Sequence, residues 1–202
     1  MANLREAQKR MTRRLLLEAG LDLFKTKGYA ATTVDDIATA AGTTRVTFYA
    51  YFASRSALMK ALIDERLNEA LQRVVSPDHG STALGLVATV AEGTPEAIAA
   101  WVRHTSDSWT EIRPIIRAGR QAAVVDPELG DVVERWMEEA ISDIEDGLTR
   151  AGRFAPHQRR FRGVLAMAEL DFVAQQGHRE EWKLTREQMV EELSASWVRL
   201  LT

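Results

Sequence analysis

Residues 32–58 read TTVDDIATAAGTTRVTFYAYFASRSAL. Thr32-Thr33 offer a capping hydroxyl ahead of Val34-Asp35-Asp36-Ile37, whose two aspartates suit the positive end of a helix dipole. Gly42 ends that helix with the positive φ that a sharp turn requires. A second, very short helix is predicted to begin after Thr43-Thr44 and to run from Arg45 to about Tyr51. Ile37, Ala38 and Ala41 then face a core, and Phe48 and Phe52, four residues apart, anchor the short helix. Thr44, Arg45, Thr47 and Tyr49 project the other way. A free face of hydroxyls, an arginine and aromatics fits a major groove, where arginine pairs with guanine and apolar groups meet thymine methyls.

Outward from this stretch, helical periodicity is nearly continuous and strand signals are almost absent. A first helix is predicted from about Arg5 or Lys9 to Lys25, ended by Gly28. Ser54 caps a long helix over residues 55–74, and Ser76-Pro77-Asp78-His79-Gly80-Ser81 is a break. Further helices are predicted at about 82–91, 95–111, 114–125, 128–151, 156–177 and 185–201, with Pro95, Pro114, Pro127 and Pro156 at or near first turns. The fold class is therefore all-α, nine to ten helices with no sheet. Residues 1–54 would form a three-helix DNA-binding domain, residues 55–202 a larger helical domain, and the helix 55–74 would connect the two.

The net charge of −3 hides an asymmetry. Residues 1–60 hold ten Lys/Arg and five Asp/Glu, a net of +5, and the remaining residues carry −8. A basic end on an acidic body suits a protein that meets a polyanion with one face. The absence of cysteine excludes disulfides, thiolate metal sites and cysteine nucleophiles. No secretory signal and no membrane-length apolar run is present, so a cytoplasmic location without membrane contact is expected.

An enzyme finds little support. There is no H-E-x-x-H, P-loop, G-x-G-x-x-G or G-x-S-x-G, and His79, His104, His157 and His178 lack metal-ligand spacing. The carboxylates Glu134, Glu138, Glu139, Asp143, Glu145 and Asp146 lack the Glu-x-x-His pairing of a di-metal bundle and read as a charged helix face. No catalytic residue, metal or cofactor is expected.

Residues 32–58 resemble the TetR family of bacterial regulators, whose motif runs approximately T-T-V-x-x-I-A-x-x-A-G-V-S-x-G-T-F-Y-x-Y-F-x-S-K-x-x-L. The match lies in Thr32, Thr33, Val34, Ile37, Ala38, Ala41, Gly42, Thr47, Phe48, Tyr49, Tyr51, Phe52, Ser54 and Leu58. Thr43, Thr44, Val46 and Arg55 depart from it; Thr44 and Arg55 keep the chemistry, and the real departure is Val46, a branched residue where the family has glycine or proline. The resemblance implies a ligand-responsive regulator, usually a repressor and in some members an activator, that binds a palindromic double-stranded DNA operator as a homodimer. It implies base contacts from Arg45, Val46 and Tyr49 and backbone contacts from Thr33, Thr44, Thr47, Tyr51 and Arg55. Thr43 belongs to the same DNA-binding set, and Arg5, Lys9, Arg10, Arg13 and Arg14 are candidates for an added basic arm.

The resemblance also implies that the last two helices form the dimer interface. Phe161, Val164, Leu165 and Ala168 make the apolar stripe of one, and Met189, Leu193, Trp197 and Leu200 that of the other. A small hydrophobic or amphipathic ligand would lie among the middle helices, with Trp101, His104, Trp109, Ile112, Trp136, Met137, Glu169 and Phe172 as candidate contacts. A rival reading keeps the DNA-binding head and packs the second domain solid, without a ligand.

Overall fold

The computed structural model describes residues 2–70, 74–76, 80–82, 85–177 and 180–202. The chain divides into two compact units: residues 1–67 with 114–133, and residues 68–113 with 134–202.

The first unit begins with α1 (Ala2–Thr26), α2 (Val34–Ala40), α3 (Arg45–Tyr51) and α4 (Arg55–Ala61). Each of α2, α3 and α4 starts where a hydroxyl residue, Thr33, Thr44 or Ser54, accepts the backbone N–H three residues on. Leu16 and Phe24 of α1, Ile37 of α2, Phe48 of α3, Leu58 of α4 and Leu62 just beyond it are buried as core. Helix α1 starts at Ala2, so the basic N-terminal stretch is helical and not an extended arm. Beyond Ala61 the helix widens to π geometry over Leu62–Leu67 and returns to one α turn, α5 (Asn68–Ala70). A π segment places an extra residue in the turn, and nothing in the apolar spacing of the sequence announces it.

The long helix predicted to residue 74 ends earlier among the described residues. Residues 71–73 and 83–84, over which helix was predicted, and 77–79 of the predicted break lie outside the described residues, as do His79 and His178. Val74–Ser76 pairs antiparallel with Gly80–Thr82 (β1 and β2), Val75 opposite Ser81. This ribbon corrects the expectation of no sheet at all; the chain remains an all-α protein.

There follow α6 (Leu86–Glu92), α7 (Pro95–Asp107), α8 (Trp109–Ala123), α9 (Pro127–Arg150), α10 (Pro156–Gln176) and α11 (Arg186–Leu201). Pro95, Pro127 and Pro156 each occupy a first helical position, as predicted. Pro114 does not: α8 starts five residues before it, so the proline lies inside the helix and leaves the carbonyl of Thr110 without its usual N–H. In the second unit α11 packs against α7 and α10. The Trp197 ring stacks on Trp101 at 5.3 Å and its Nε1 donates to the carbonyl of Ala166 at 3.1 Å. Gly147 lets α9 approach α6 so closely that a Cβ there would meet Val90 at 2.6 Å. Arg153 gathers the ends of two helices, donating to the carbonyls of Val90, Ala91 and Glu92 from α6 and of Leu201 from α11.

Candidate nucleic-acid interface

Helix α2 is locked at its start by a reciprocal cap. The Asp36 N–H donates to the Thr33 hydroxyl at 3.1 Å, and the Thr33 N–H returns to the Asp36 carboxylate at 2.8 Å. Lys27 Nζ adds a 2.6 Å contact to the same carboxylate. That ammonium first, then the Thr33 N–H and hydroxyl, hold the Asp36 carboxyl down at about 2, against an ordinary 3.8. A carboxyl acidified by folding stabilises the fold above its ordinary value and loses that contribution as pH falls through the lower one. The melting temperature of wild-type protein is therefore expected to exceed that of Asp36→Asn at pH 5, and the gap to close between about pH 4 and pH 2. A gap of constant size over that range would show that the Lys27–Asp36–Thr33 arrangement does not act this way.

At the other end of α2, Gly42 sits at φ +65°. Its N–H reaches the carbonyl of Thr39 at 3.0 Å, and the Thr43 N–H reaches that of Ala38 at 2.9 Å. This paired closure turns the chain within two residues and requires the left-handed conformation that glycine adopts freely. Two residues later the Thr44 hydroxyl caps α3, accepting from the Thr47 N–H at 3.2 Å. The angle between α2 and α3 is thus fixed by one glycine and two threonines.

The outward face of α3 carries the residues singled out in the sequence. Val46 is 81% exposed and Tyr49 45% exposed, with Arg45 and Thr44 exposed beside them; Thr43, Thr47 and Tyr51 are half-buried. Arg45 is not loose. Its Nη1 meets the Asp35 carboxylate on α2 at 3.0 Å, its Nη2 lies 3.4 Å from the Tyr49 hydroxyl, and its guanidinium lies 5.6 Å from the centre of that ring. Tyr49 first, then the Asp35 charge, hold the Arg45 guanidinium above its ordinary range, so it stays cationic. Sequence reasoning missed Asp35 as a member of this face. The only signal was an acidic residue and a basic one on helices already predicted to pack together.

Three predicted contributors make contacts within the fold here. Arg55 donates Nη1 to the carbonyls of Thr32 at 2.5 Å and Ala30 at 3.3 Å, and its guanidinium covers the Tyr29 ring at 4.1 Å. Arg13 pairs with Glu65 and lies over Phe52, and Arg14 pairs with Glu18. Arg5, Lys9 and Arg10 are exposed on α1.

In the second unit the two predicted dimer stripes part company. On α10, Phe161 is 63% exposed, and Val164, Leu165 and Ala168 are exposed on the same face. On α11, Met189, Leu193 and Trp197 are buried within the protomer, against α7 and α10, and only Leu200 is half-buried. The three buried residues are core and offer no surface, so the α11 stripe is corrected on this point.

The predicted ligand contacts are also divided. Trp109 and Ile112 are buried, Trp101, Trp136, Met137 and Glu169 half-buried, and His104 exposed. Phe172 lies on the outer face of α10, 59% exposed and stacked on Trp182 at 5.9 Å, so it is not a wall of an enclosed site. Among the described residues, Trp109 Nε1, Glu169 Oε2 and both amide atoms of Gln175 are enclosed without a hydrogen-bond partner. Arg113, one turn beyond Trp109, donates Nε to the carbonyl of Ala174 at 2.8 Å. That contact places Trp109 and Gln175 on helices that touch. Gln175 was missed in the sequence because an amide among small residues carries no periodic signal.

Residues 16–62 match the profile of the bacterial regulatory proteins of the tetR family. The chain is 32% identical over 109 residues to the HTH-type transcriptional regulator YdeS of Bacillus subtilis, a match covering 54% of this chain and 50% of YdeS. Across the curated relatives it matches, the aligned part spans between a quarter and a half of the relative's length. A TetR-family regulator of Syntrophomonas wolfei superposes with a TM-score of 0.69 at 17% identity, over 96% of both chains. The SmeT–triclosan complex superposes with a TM-score of 0.68 at 20% identity, over 93% of this chain and 89% of SmeT. At such identities the likeness is one of fold.

Proposed function

We propose that this chain, whose residues 16–62 match the tetR-family profile and whose fold superposes on that of a TetR-family regulator, is a transcriptional regulator that reads a palindromic DNA operator as a homodimer and lets go when a small molecule binds. The observation that carries the DNA-binding part is the α2–turn–α3 unit, which buries Phe48 and holds Arg45, Val46 and Tyr49 outward on one short helix. In this reading Arg45 pairs with a guanine, Val46 and Tyr49 meet thymine methyls, and Thr33, Thr43, Thr44, Thr47 and Tyr51 border the phosphates. Arg55, tied to Thr32 and Ala30, positions the chain ahead of α2 and would reach a phosphate only with donors not used there.

Selection from a random duplex pool tests this reading. The expected product is a palindrome with half-sites about 34–36 Å apart, bound with an affinity that falls steeply with salt. Selection of no motif by well-folded protein would reject it.

The sensing part is supported by the enclosed, unpartnered groups of Trp109, Glu169 and Gln175. Buried polar atoms left without partners are costly in a finished core, by about 1–3 kcal/mol each, and a ligand or ordered water would satisfy them. Each of them would be satisfied by a polar group of an amphipathic molecule: an acceptor for the indole N–H, a donor for the carboxylate, and either for the Gln175 amide. Triclosan, the phenolic compound in the SmeT complex, is the first compound to try by thermal melting, followed by other amphipathic phenols. Operator affinity left unchanged by every compound that raises the melting temperature would support the rival reading of a DNA-binding head without a sensor. Among the described residues no helix is long and apolar enough to cross a membrane, and the proposed site of action is the cytoplasm, on DNA.

A further inference from the structure

The Asp35–Arg45 pair is unusual in where it sits. Asp35 and Arg45 are 63% and 60% exposed, so the pair adds little to folding. Yet it places a carboxylate on the surface that the proposed function turns towards a polyanion. Asp35 occupies the first turn of α2, where its charge also suits the helix dipole, but the Asp36 cap is complete without it. The side chain is spent instead on Arg45, ten residues away and across the turn.

A guanidinium carries five N–H donors in a fixed plane. One on Nη1 goes to Asp35 and one on Nη2 lies near the Tyr49 hydroxyl. A second hydrogen on each Nη, together with the Nε–H, is left for a base. The carboxylate on one side and the tyrosine on the other limit the rotamers open to a long side chain. A bidentate contact to guanine O6 and N7 demands such a fixed plane, whereas a phosphate accepts a guanidinium in many orientations.

We propose that Asp35 is a specificity-determining positioning residue: it holds Arg45 in the orientation that reads a guanine, and its charge penalises binding to DNA that lacks that guanine. The proposal rests on the DNA-reading function argued above. On a matched operator the oriented arginine repays the repulsion of one carboxylate for nearby phosphates. On unmatched DNA the repulsion remains, and Arg45 must leave Asp35 to find a phosphate. Asp35 therefore widens the ratio of specific to non-specific affinity, the quantity that decides occupancy among many competing sites.

The test uses the full chain with three probes: the duplex selected by wild-type protein, the same duplex substituted at each position in turn, and random-sequence duplex of equal length. Asp35→Ala is expected to lower discrimination at one guanine position per half-site by roughly tenfold, within the range of a lost bidentate contact. It is also expected to bind random duplex more tightly, with a salt slope steeper by about 0.9 per protomer as one more phosphate is neutralised. Asp35→Asn retains an acceptor for Arg45 without the charge, so it should keep the base preference and show only the gain on random duplex. In an Arg45→Ala background, Asp35→Ala should no longer change discrimination at that position.

Unchanged melting temperatures confirm that the variants fold. Equal discrimination by wild type and Asp35→Ala, or additive effects of Asp35→Ala and Arg45→Ala, would overturn the proposal while leaving the DNA reading intact. If wild-type protein selects no motif, the DNA reading itself fails and this proposal with it.

Discussion

Glutamate placed at both Phe161 and Leu165 is expected to leave a folded protein that sediments as one chain instead of two and loses its grip on a full palindrome. Both side chains stand on the outer face of α10, so the protomer tolerates the change. In a two-fold interface each substitution occurs twice and faces its own copy or a neighbour of it. Four carboxylates would then be driven into an apolar contact without cationic partners, each costing several kcal/mol. The face is unpartnered in the protomer: Phe161, Val164, Leu165, Ala168 and Phe172 all lie on it, and Phe172 is covered only in part by Trp182. Separating the protomers removes the linkage between half-sites, and affinity for the palindrome should fall by about 10²–10⁴-fold. Sedimentation and operator titration measure the two effects. A double variant that still sediments as a pair would place the interface elsewhere, even if DNA binding were weakened.

That the α10 face is free while the α11 stripe is not could not have been read from spacing. Met189, Leu193 and Trp197 recur every four residues, Phe161, Leu165 and Ala168 at four and three, and both are helical spacings; periodicity reports only that a stripe is buried against something. For α11 the partners are α7 and α10 of the same chain, with Trp101 stacked on Trp197. The reading head was legible for the opposite reason. Its elements are defined by local chemistry: hydroxyl caps at Thr33, Thr44 and Ser54, and a glycine at the single left-handed position between α2 and α3. Such signals act within four residues and need no knowledge of the rest of the chain. The pairing of Asp35 with Arg45, the capture of Arg55 by Thr32 and Ala30, and the π segment at Leu62–Leu67 depend on how helices are brought together, and a single sequence does not display that. Pro114 misled because proline is favoured in a first turn and merely tolerated later; here α8 had begun at Trp109.

The same local logic makes two adjacent residues of α3 behave in opposite ways when cut to alanine. Phe48 is completely buried, its ring 5.8 Å from Phe52 and edge-on to Tyr49 at 5.6 Å. Phe48→Ala removes the anchor of a seven-residue helix that cannot persist alone, and should cost about 3–5 kcal/mol. A domain of this size has a stability of only about 5–15 kcal/mol, so the first unit is expected to melt early. The second unit shares none of these contacts and should keep its own transition, giving two steps in place of one and no operator binding at growth temperature. Tyr49→Ala removes a half-exposed ring whose share in stability is its edge contact with Phe48, about 0.5–1.5 kcal/mol. Its melting curve should stay near that of the wild type while operator affinity falls by roughly tenfold or more, since the contact is lost in both half-sites. Calorimetry beside operator titration separates the two variants. If Tyr49→Ala bound the operator normally, α3 would not present this face to DNA. If Phe48→Ala melted like the wild type, the first unit would not depend on the aromatic anchor that sets the direction of α3.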